Sequence, residues 1–395
     1  MVEFLLLLLP VAAASGWLAA KRSDKRQKAA TAEREQNPAY FKGLNYLLNE
    51  QPDKAIDVFV QMLDIDDETV ETHLALGNLF RRRGEVERAI RIHQNLVARP
   101  TLERTQRAQA LLELGQDYMR AGLFDRAENL LVELLEINQH EVPALQNLRI
   151  IYQQEKEWEK CLDVLSKLEE ITSEVQSIDR AHYYCELAVI ARKKHDYTQA
   201  AKWLKKAQES NSECVRATLV QGKVDLAQKN YVAAIHSFKH VAQQDPAFIS
   251  EILPVLIQSY IELGQRNELI TCLQQLYQQQ KNIAVMLALA DLLQEDKGDQ
   301  AAVEFVVDYL HKYFSLDGTQ KLIDLSRKCA QGSFAGTFLI LHEQLAMLLE
   351  KRPAYQCKQC GFEVKTLHWQ CPGCKSWDSI KPVQDMDLIE QPVLN

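Results

Sequence analysis

Four cysteines near the end of this 395-residue chain carry its clearest chemistry: Cys357-x-x-Cys360, ten residues beginning at Gly361, then Cys371-Pro372-Gly373-Cys374. Each Cys-x-x-Cys turn aims two thiolates at one point. Two such turns make the tetrahedral four-sulfur site that Zn²⁺ prefers and that a single Fe also accepts. The spacing therefore predicts one metal ion, zinc or iron, held by Cys357, Cys360, Cys371 and Cys374. Gly361 and Gly373 are expected to permit the tight turns that free backbone N–H groups to bond the sulfurs. One motif alone would also suit a redox dithiol, but the pair favours a metal. Four thiolates complete a structural site, so nearby His368 reads as an outer neighbour or a surface residue. No other chemistry emerges. There is no G-x-x-x-x-G-K-[ST] loop; His342-Glu343 starts an H-E-x-x-H pattern that Ala346 breaks; Gly332-Ser333 does not make G-x-S-x-G. With the ten histidines dispersed and no nucleophile beside a base, the chain reads as a non-enzyme.

The segment YQCKQCGFEVKTLHWQCPGCKSWDSI resembles a short rubredoxin-like or zinc-ribbon domain, including the second CPxC knuckle and the flanking aromatics Phe362, Trp369 and Trp377. It departs from rubredoxin in its shorter gap and in Lys375, which stands where rubredoxin usually has glycine. Both departures weigh against the alternative of an electron-transfer protein, whose iron needs a tuned hydrogen-bonding shell. A similar knuckle pair opens the RadA family of DNA-repair ATPases, yet nothing else of that family is present. A segment this small buries too little apolar area to fold alone, so metal binding must supply much of its stability.

The elements that position this site are helical. Only 14 Gly and 11 Pro, against long runs of Leu, Ala, Glu, Gln and Lys, favour helix between residues 37 and 350. Gly43, Gly77 and Gly115 are each followed twelve residues later by Ala55, Ala89 and Ala127, and the first two glycines are 34 apart. The next interval is 38, with the surplus in RPTLER; Ala200 and Ala234 restore 34. This resembles the tetratricopeptide repeat. Small residues let helix backbones approach, Tyr46, Phe59, Tyr118, Tyr152 and Phe238 supply bulk, and Gly84 and Gly122 stand in turns. Six units are expected near 36–69, 70–103, 108–141, 142–175, 181–214 and 215–248, with fainter pairs to about Lys351. Arg149 and Ala188 replace the glycine in two of them, and Cys161 replaces the later alanine. Cys161, Cys185, Cys214, Cys272 and Cys329, scattered singly, read as small core residues in a reducing compartment.

In that fold the first helix of each unit lines the concave surface, where Asn78, Arg81, Arg82, Gln116, Arg120, Arg192, Lys193 and Lys223 would face solvent. For a chain of net charge −8 this is a cationic lining, suited to an acidic or extended peptide. The same residues also fit solvated charges on exposed helices. The net charge argues against nucleic acid as a partner.

Phe4 to Ala20 is uncharged over 17 residues, at the short end of a bilayer-spanning helix. Only the acidic Glu3 precedes it, unlike a signal peptide. Lys21, Arg22, Lys25, Arg26 and Lys28 follow, which places residues 21–395 on the cytoplasmic side and the N-terminus outside. The expected organisation is an all-α chain: a transmembrane anchor (1–20), a basic juxtamembrane segment (21–35), a tetratricopeptide-repeat solenoid (36–351), a small rubredoxin-like four-cysteine domain (355–384) and a tail (385–395).

That order of domains, with CKQCGF…HWQCPGCKSW, resembles the lipopolysaccharide assembly protein B family of Gram-negative bacteria over the whole chain. The resemblance implies a cytoplasm-facing inner-membrane adaptor that cooperates with the membrane AAA+ zinc protease FtsH. It also implies that the deacetylase committing precursor to lipid A is thereby degraded, restraining lipopolysaccharide synthesis. Other lipopolysaccharide assembly proteins are a further implied partner class, and self-association stays open. The knuckles are expected to pack against the last repeats and complete a partner-binding surface.

Overall fold

The computed structural model describes residues 38–49, 51–65, 70–100, 102–329 and 333–383. The anchor, the basic segment and the tail expected from sequence lie outside these residues. Among the described residues no helix is long and apolar enough to cross a membrane.

Two compact units divide the chain at Lys156. In the first, three antiparallel helix pairs follow one another: α1 Pro38–Leu48 with α2 Pro52–Ile65, α3 Val70–Arg82 with α4 Val86–Val97, and α5 Arg104–Arg120 with α6 Phe124–Glu136. The helix α7 Glu141–Glu155 ends the unit. Gly84 and Gly122 take φ of 84° and 75° in the turns, a backbone state that β-carbon sterics penalise in other residues. The repeat glycines serve close approach instead. A Cβ on Gly43 would sit 2.6 Å from the Phe59 ring, and one on Gly77 would sit 2.3 Å from His93. The crowding partner thus lies sixteen positions on, whereas Ala55, Ala89 and Ala127, twelve on, are themselves fully buried.

His93 fills the place that Phe59 holds in the preceding pair, and this puts a polar ring in the core. Its Nδ1 lies 2.5 Å from Asp117 Oδ2 on α5, with both side chains fully buried. Arg81 on α3 closes the network, 2.9 Å from Asp117 Oδ1 and 2.6 Å from Glu113 Oε2. Buried charge is tolerable only when paired and hydrogen-bonded in this way.

The second unit opens with α8 Trp158–Thr172 and continues with five pairs: α9 Ser177–Lys193 with α10 Tyr197–Ser210, α11 Val215–Ala227 with α12 Tyr231–Gln244, α13 Ile249–Glu262 with α14 Arg266–Gln280, α15 Ile283–Lys297 with α16 Asp299–Leu310, and α17 Leu316–Cys329 with α18 Ser333–Lys351. Among the first helices of successive pairs, α9 runs beside α11 and α13 beside α15. Cys161, Cys185, Cys214 and Cys272 are buried core residues. After α18 the chain forms a three-stranded antiparallel sheet, β1 Tyr355–Cys357, β2 Glu363–Val364 and β3 Ile380–Pro382, in the order β2-β1-β3.

Candidate functional site

Two backbone knuckles with the same hydrogen-bond pattern carry the cysteines. In the first, the Gly361 amide donates to the Cys357 carbonyl and the Cys357 amide to the Phe362 carbonyl, each at 2.9 Å. In the second, Lys375 donates to Cys371 and Cys371 to Ser376, again at 2.9 Å. The residue after the second cysteine of each knuckle must be left-handed: Gly361 has φ 75°, and Lys375 has φ 62°. This corrects the expectation for Gly373, which lies outside the positive-φ set; the strained turn falls on Lys375 instead. Cys357 and Cys371 are buried, Cys374 is partly so, and Cys360 is exposed.

The four sulfurs lie within 4.8 Å of one another. Cys357 and Cys374 Sγ are 3.8 Å apart, and Cys360 and Cys371 Sγ are 3.7 Å apart. Four sulfurs bound at about 2.3 Å to one ion would be separated by about 3.8 Å, so the donor set fits a tetrahedral ion. Desolvation opposes the Cys357 thiolate, but hydrogen bonding from Ser379 and the amides of Cys360 and Gln359 brings its pKa down to about 6. Ser376 likewise lowers Cys374. The Phe362 amide favours the Cys360 thiolate, yet desolvation and the neighbouring thiols push it up to about 11. Four thiolates this close repel, and a divalent cation replaces the protons they would otherwise share. His368 is exposed and contacts Thr366.

The knuckles do not sit on the last repeats, as expected from sequence, but fold back onto α8, α9, α11 and the turn before α13. Trp377 supplies the centre. Its indole stacks on His182 with centroids 5.0 Å apart and meets Trp158 and Tyr183 edge-on at 6.1 and 6.0 Å. Trp369 stacks on Phe248 at 5.3 Å. Arg216 lies 5.7 and 5.8 Å from the two indole rings and pairs with Glu186 at 2.8 Å. At the edges, Lys381 Nζ lies 3.1 Å from Asp245, and the Tyr355 hydroxyl donates to Glu251. These partners are 136 and 104 positions apart in sequence. The matching aromatic and charged groups lie in this middle stretch, and the last pair only fastens the ribbon's ends: Arg352 bonds Asp317 at 3.3 Å and the Val383 carbonyl at 3.2 Å.

Burial and the cations Arg216 and Lys381 hold the His182 pKa down at about 3, so the ring stacked on Trp377 is neutral. Sequence reasoning placed Trp369 and Trp377 beside the metal but missed His182, Arg216 and Trp158. One signal was available: His182 and Arg216 are 34 positions apart, two polar residues at the same repeat position.

The residues expected to line the groove have different fates. In the first unit Arg81 is taken up by Glu113 and Asp117, which removes it as a freely presented cation. Asn78 and Gln116 are partly buried, and Arg82 and Arg120 are exposed. In the second unit Arg192 and Lys223 are partly buried and Lys193 is exposed.

Residues 355–382 match the family model of the rubredoxin metal binding domain, and residues 72–108 and 185–247 match tetratricopeptide repeats. The chain is 38% identical over 388 residues to lipopolysaccharide assembly protein B of Escherichia coli strain K12, covering 98% of this chain and all of that protein. It is 35% identical over 397 residues to the protein of the same name from Haemophilus influenzae, covering 98% and 100%. Among solved structures, MamA is 23% identical over 43% of this chain and 95% of that one, with a TM-score of 0.34, too distant to bear on function.

Proposed function

Because the chain belongs to the lipopolysaccharide assembly protein B family, we propose that it is a non-catalytic adaptor anchored in the bacterial inner membrane. It promotes degradation of the lipid A pathway deacetylase by the protease FtsH. The observation that carries this reading is the docking of a four-cysteine ribbon onto repeat helices, which turns two binding modules into one surface.

The parts divide the work. Residues 1–20 tether the chain with its N-terminus in the periplasm, and the tether raises its effective concentration toward partners in the same membrane. The repeats present an extended surface in the cytoplasm. A metal ion held by Cys357, Cys360, Cys371 and Cys374 supplies the folding energy of the ribbon. Trp369, Trp377 and Lys381 then hold the ribbon in place. Cationic positions that remain presented, among them Arg82, Arg120, Arg192, Lys193 and Lys223, are the contacts for acidic partner segments.

Affinity capture from detergent-solubilised inner membrane tests this. Wild type should capture both the protease and the deacetylase, and Cys371→Ser/Cys374→Ser should lose them. Capture of neither by wild type would remove the proposed partners, and full capture by the double variant would separate the ribbon from the working surface.

A further inference from the structure

Beside the docked ribbon the first helices carry two cations, Arg192 and Lys223, that form no ion pair among the described residues. Arg192 ends α9, and its Nε is buried with no hydrogen-bond partner. Lys223, on the adjoining α11, is partly buried and forms no ion pair within 4.0 Å among the described residues. The carboxylate that acts on Lys223 electrostatically is Glu251 on α13, which also accepts the Tyr355 hydroxyl from the ribbon. Glu186, the other acid on this face of α9, is paired with Arg216. Withdrawing a cation from water without a partner at ion-pair distance is unfavourable, and an anionic ligand would supply that partner. Burial lowers the pKa of the Lys223 ammonium; Glu251 opposes this and Arg192 adds to it.

The repeat register describes the ligand further. Val189, Lys223 and Ile257 are successively 34 positions apart, so the same repeat position on α9, α11 and α13 reads apolar, cationic, apolar. All three are partly exposed. An isolated phosphate or a lipid headgroup uses only the middle of such a set, whereas an extended polypeptide with an acidic residue between two apolar ones uses all of it.

We infer that Arg192 and Lys223 form an anion subsite, bordered by the Glu251–Tyr355 edge of the ribbon, that takes an Asp or Glu side chain of an extended segment of a partner protein. The inference rests on the adaptor reading and gives its client a chemistry: an acidic residue flanked by apolar ones. The charge-assisted pairs set affinity and register, Val189 and Ile257 accept the neighbours, and the exposed Lys193 adds long-range attraction.

Fluorescence anisotropy on the full, metal-loaded chain in detergent tests this, with a labelled peptide in which Glu lies between leucines and a second in which Gln replaces Glu. The Glu peptide should bind at least about tenfold more tightly than the Gln peptide, and Arg192→Met/Lys223→Met should abolish that difference, since loss of a charge-assisted pair is worth about a factor of ten. Lys202→Met/Lys205→Met, which removes two exposed cations of α10 that have no part in the subsite, should leave it intact. Arg192→Lys/Lys223→Arg keeps the charges and should retain a preference for Glu, which guards against misfolding of the methionine variant. Equal binding of the two peptides, an unchanged preference in the Arg192→Met/Lys223→Met variant, or an equal loss in the α10 variant overturns the subsite. Capture of protease and deacetylase from membranes by the methionine variant at wild-type level would also overturn it while leaving the adaptor reading standing.

Discussion

Each compact unit buries a histidine beside an arginine, and the two solve the same problem with different parts of the chain. In the first unit His93 faces Asp117, which Arg81 also grips; every partner comes from within two successive repeats, 24 to 36 positions away. In the second, His182 faces the indole of Trp377, Arg216 lies over the same ring, and among the described residues no carboxylate hydrogen-bonds the imidazole. A carboxylate hydrogen-bonds the ring of the first histidine. Cations and an aromatic face keep the second one neutral. The first unit is therefore completed by its own repeats, whereas the second is completed by a ribbon whose four cysteines can hold a metal ion.

Metal removal should separate the units most sharply. Chelation, or Cys371→Ser/Cys374→Ser, removes binding free energy of about 10 kcal/mol or more at a structural four-ligand site. The ribbon should then unfold and leave Trp158, His182 and Phe248 in water. Amide hydrogen exchange should rise across α8, α9 and α11 while α3 to α5 keep their protection. Equal loosening of α3 to α5 would break the comparison.

Core truncations on either side come next. Trp377→Ala should destabilise the ribbon and its seat by about 3 to 5 kcal/mol, read as a lower denaturation midpoint with metal still bound. Asp117→Ala leaves His93 and part of Arg81 without a partner, at a loss of about 3 kcal/mol. That loss should appear in the exchange of α3 to α5 alone. If Asp117→Ala releases the ribbon, the units are not independent in the sense drawn above.

Acid should act on the second unit through His182. Its folded pKa, about 3, lies below the unfolded value of 6.5, so between these two the unfolded state binds the extra proton. Stability is complete above pH 6.5 and erodes as pH falls toward 3, by at most about 1.4 kcal/mol per pH unit. His182→Phe keeps an aromatic face and should flatten the part of the ribbon-undocking profile just below pH 6.5, measured by Trp377 fluorescence. A profile unchanged by that variant would remove the histidine from the comparison.

These differences show how far the sequence could be read. The 34-residue period and the Gly84 and Gly122 turns are local patterns, so the hairpins were legible in them, including the longer link before Arg104. The four thiols were legible because Cys-x-x-Cys turns are short-range geometry. The ribbon's location was not, because it depends on Trp369 and Trp377 meeting Phe248 and His182 across more than a hundred positions, and no periodicity encodes that meeting. Nor did charge counting reveal Arg81 as an internal tie. Its partners Glu113 and Asp117 look like ordinary surface acids until α3 and α5 lie side by side.

The smallest effect tests whether the ribbon's two knuckles differ only in one turn. Gly361 and Lys375 adopt the same left-handed conformation with the same backbone hydrogen bonds, and the Lys375 side chain is exposed. A residue bearing a Cβ costs about 1 to 2 kcal/mol there, while glycine's extra freedom in the unfolded chain offsets about 0.5 to 1 kcal/mol of that. Lys375→Gly should therefore stabilise the folded, metal-bound ribbon by about 0.5 kcal/mol, a two- to threefold tighter hold on the ion in chelator competition, with no change in α3 to α5. Gly361→Lys should weaken the hold by a similar factor or more. Weaker metal binding in Lys375→Gly would mean that the lysine side chain supports the site directly, and the two knuckles would then differ in function as well as in sequence.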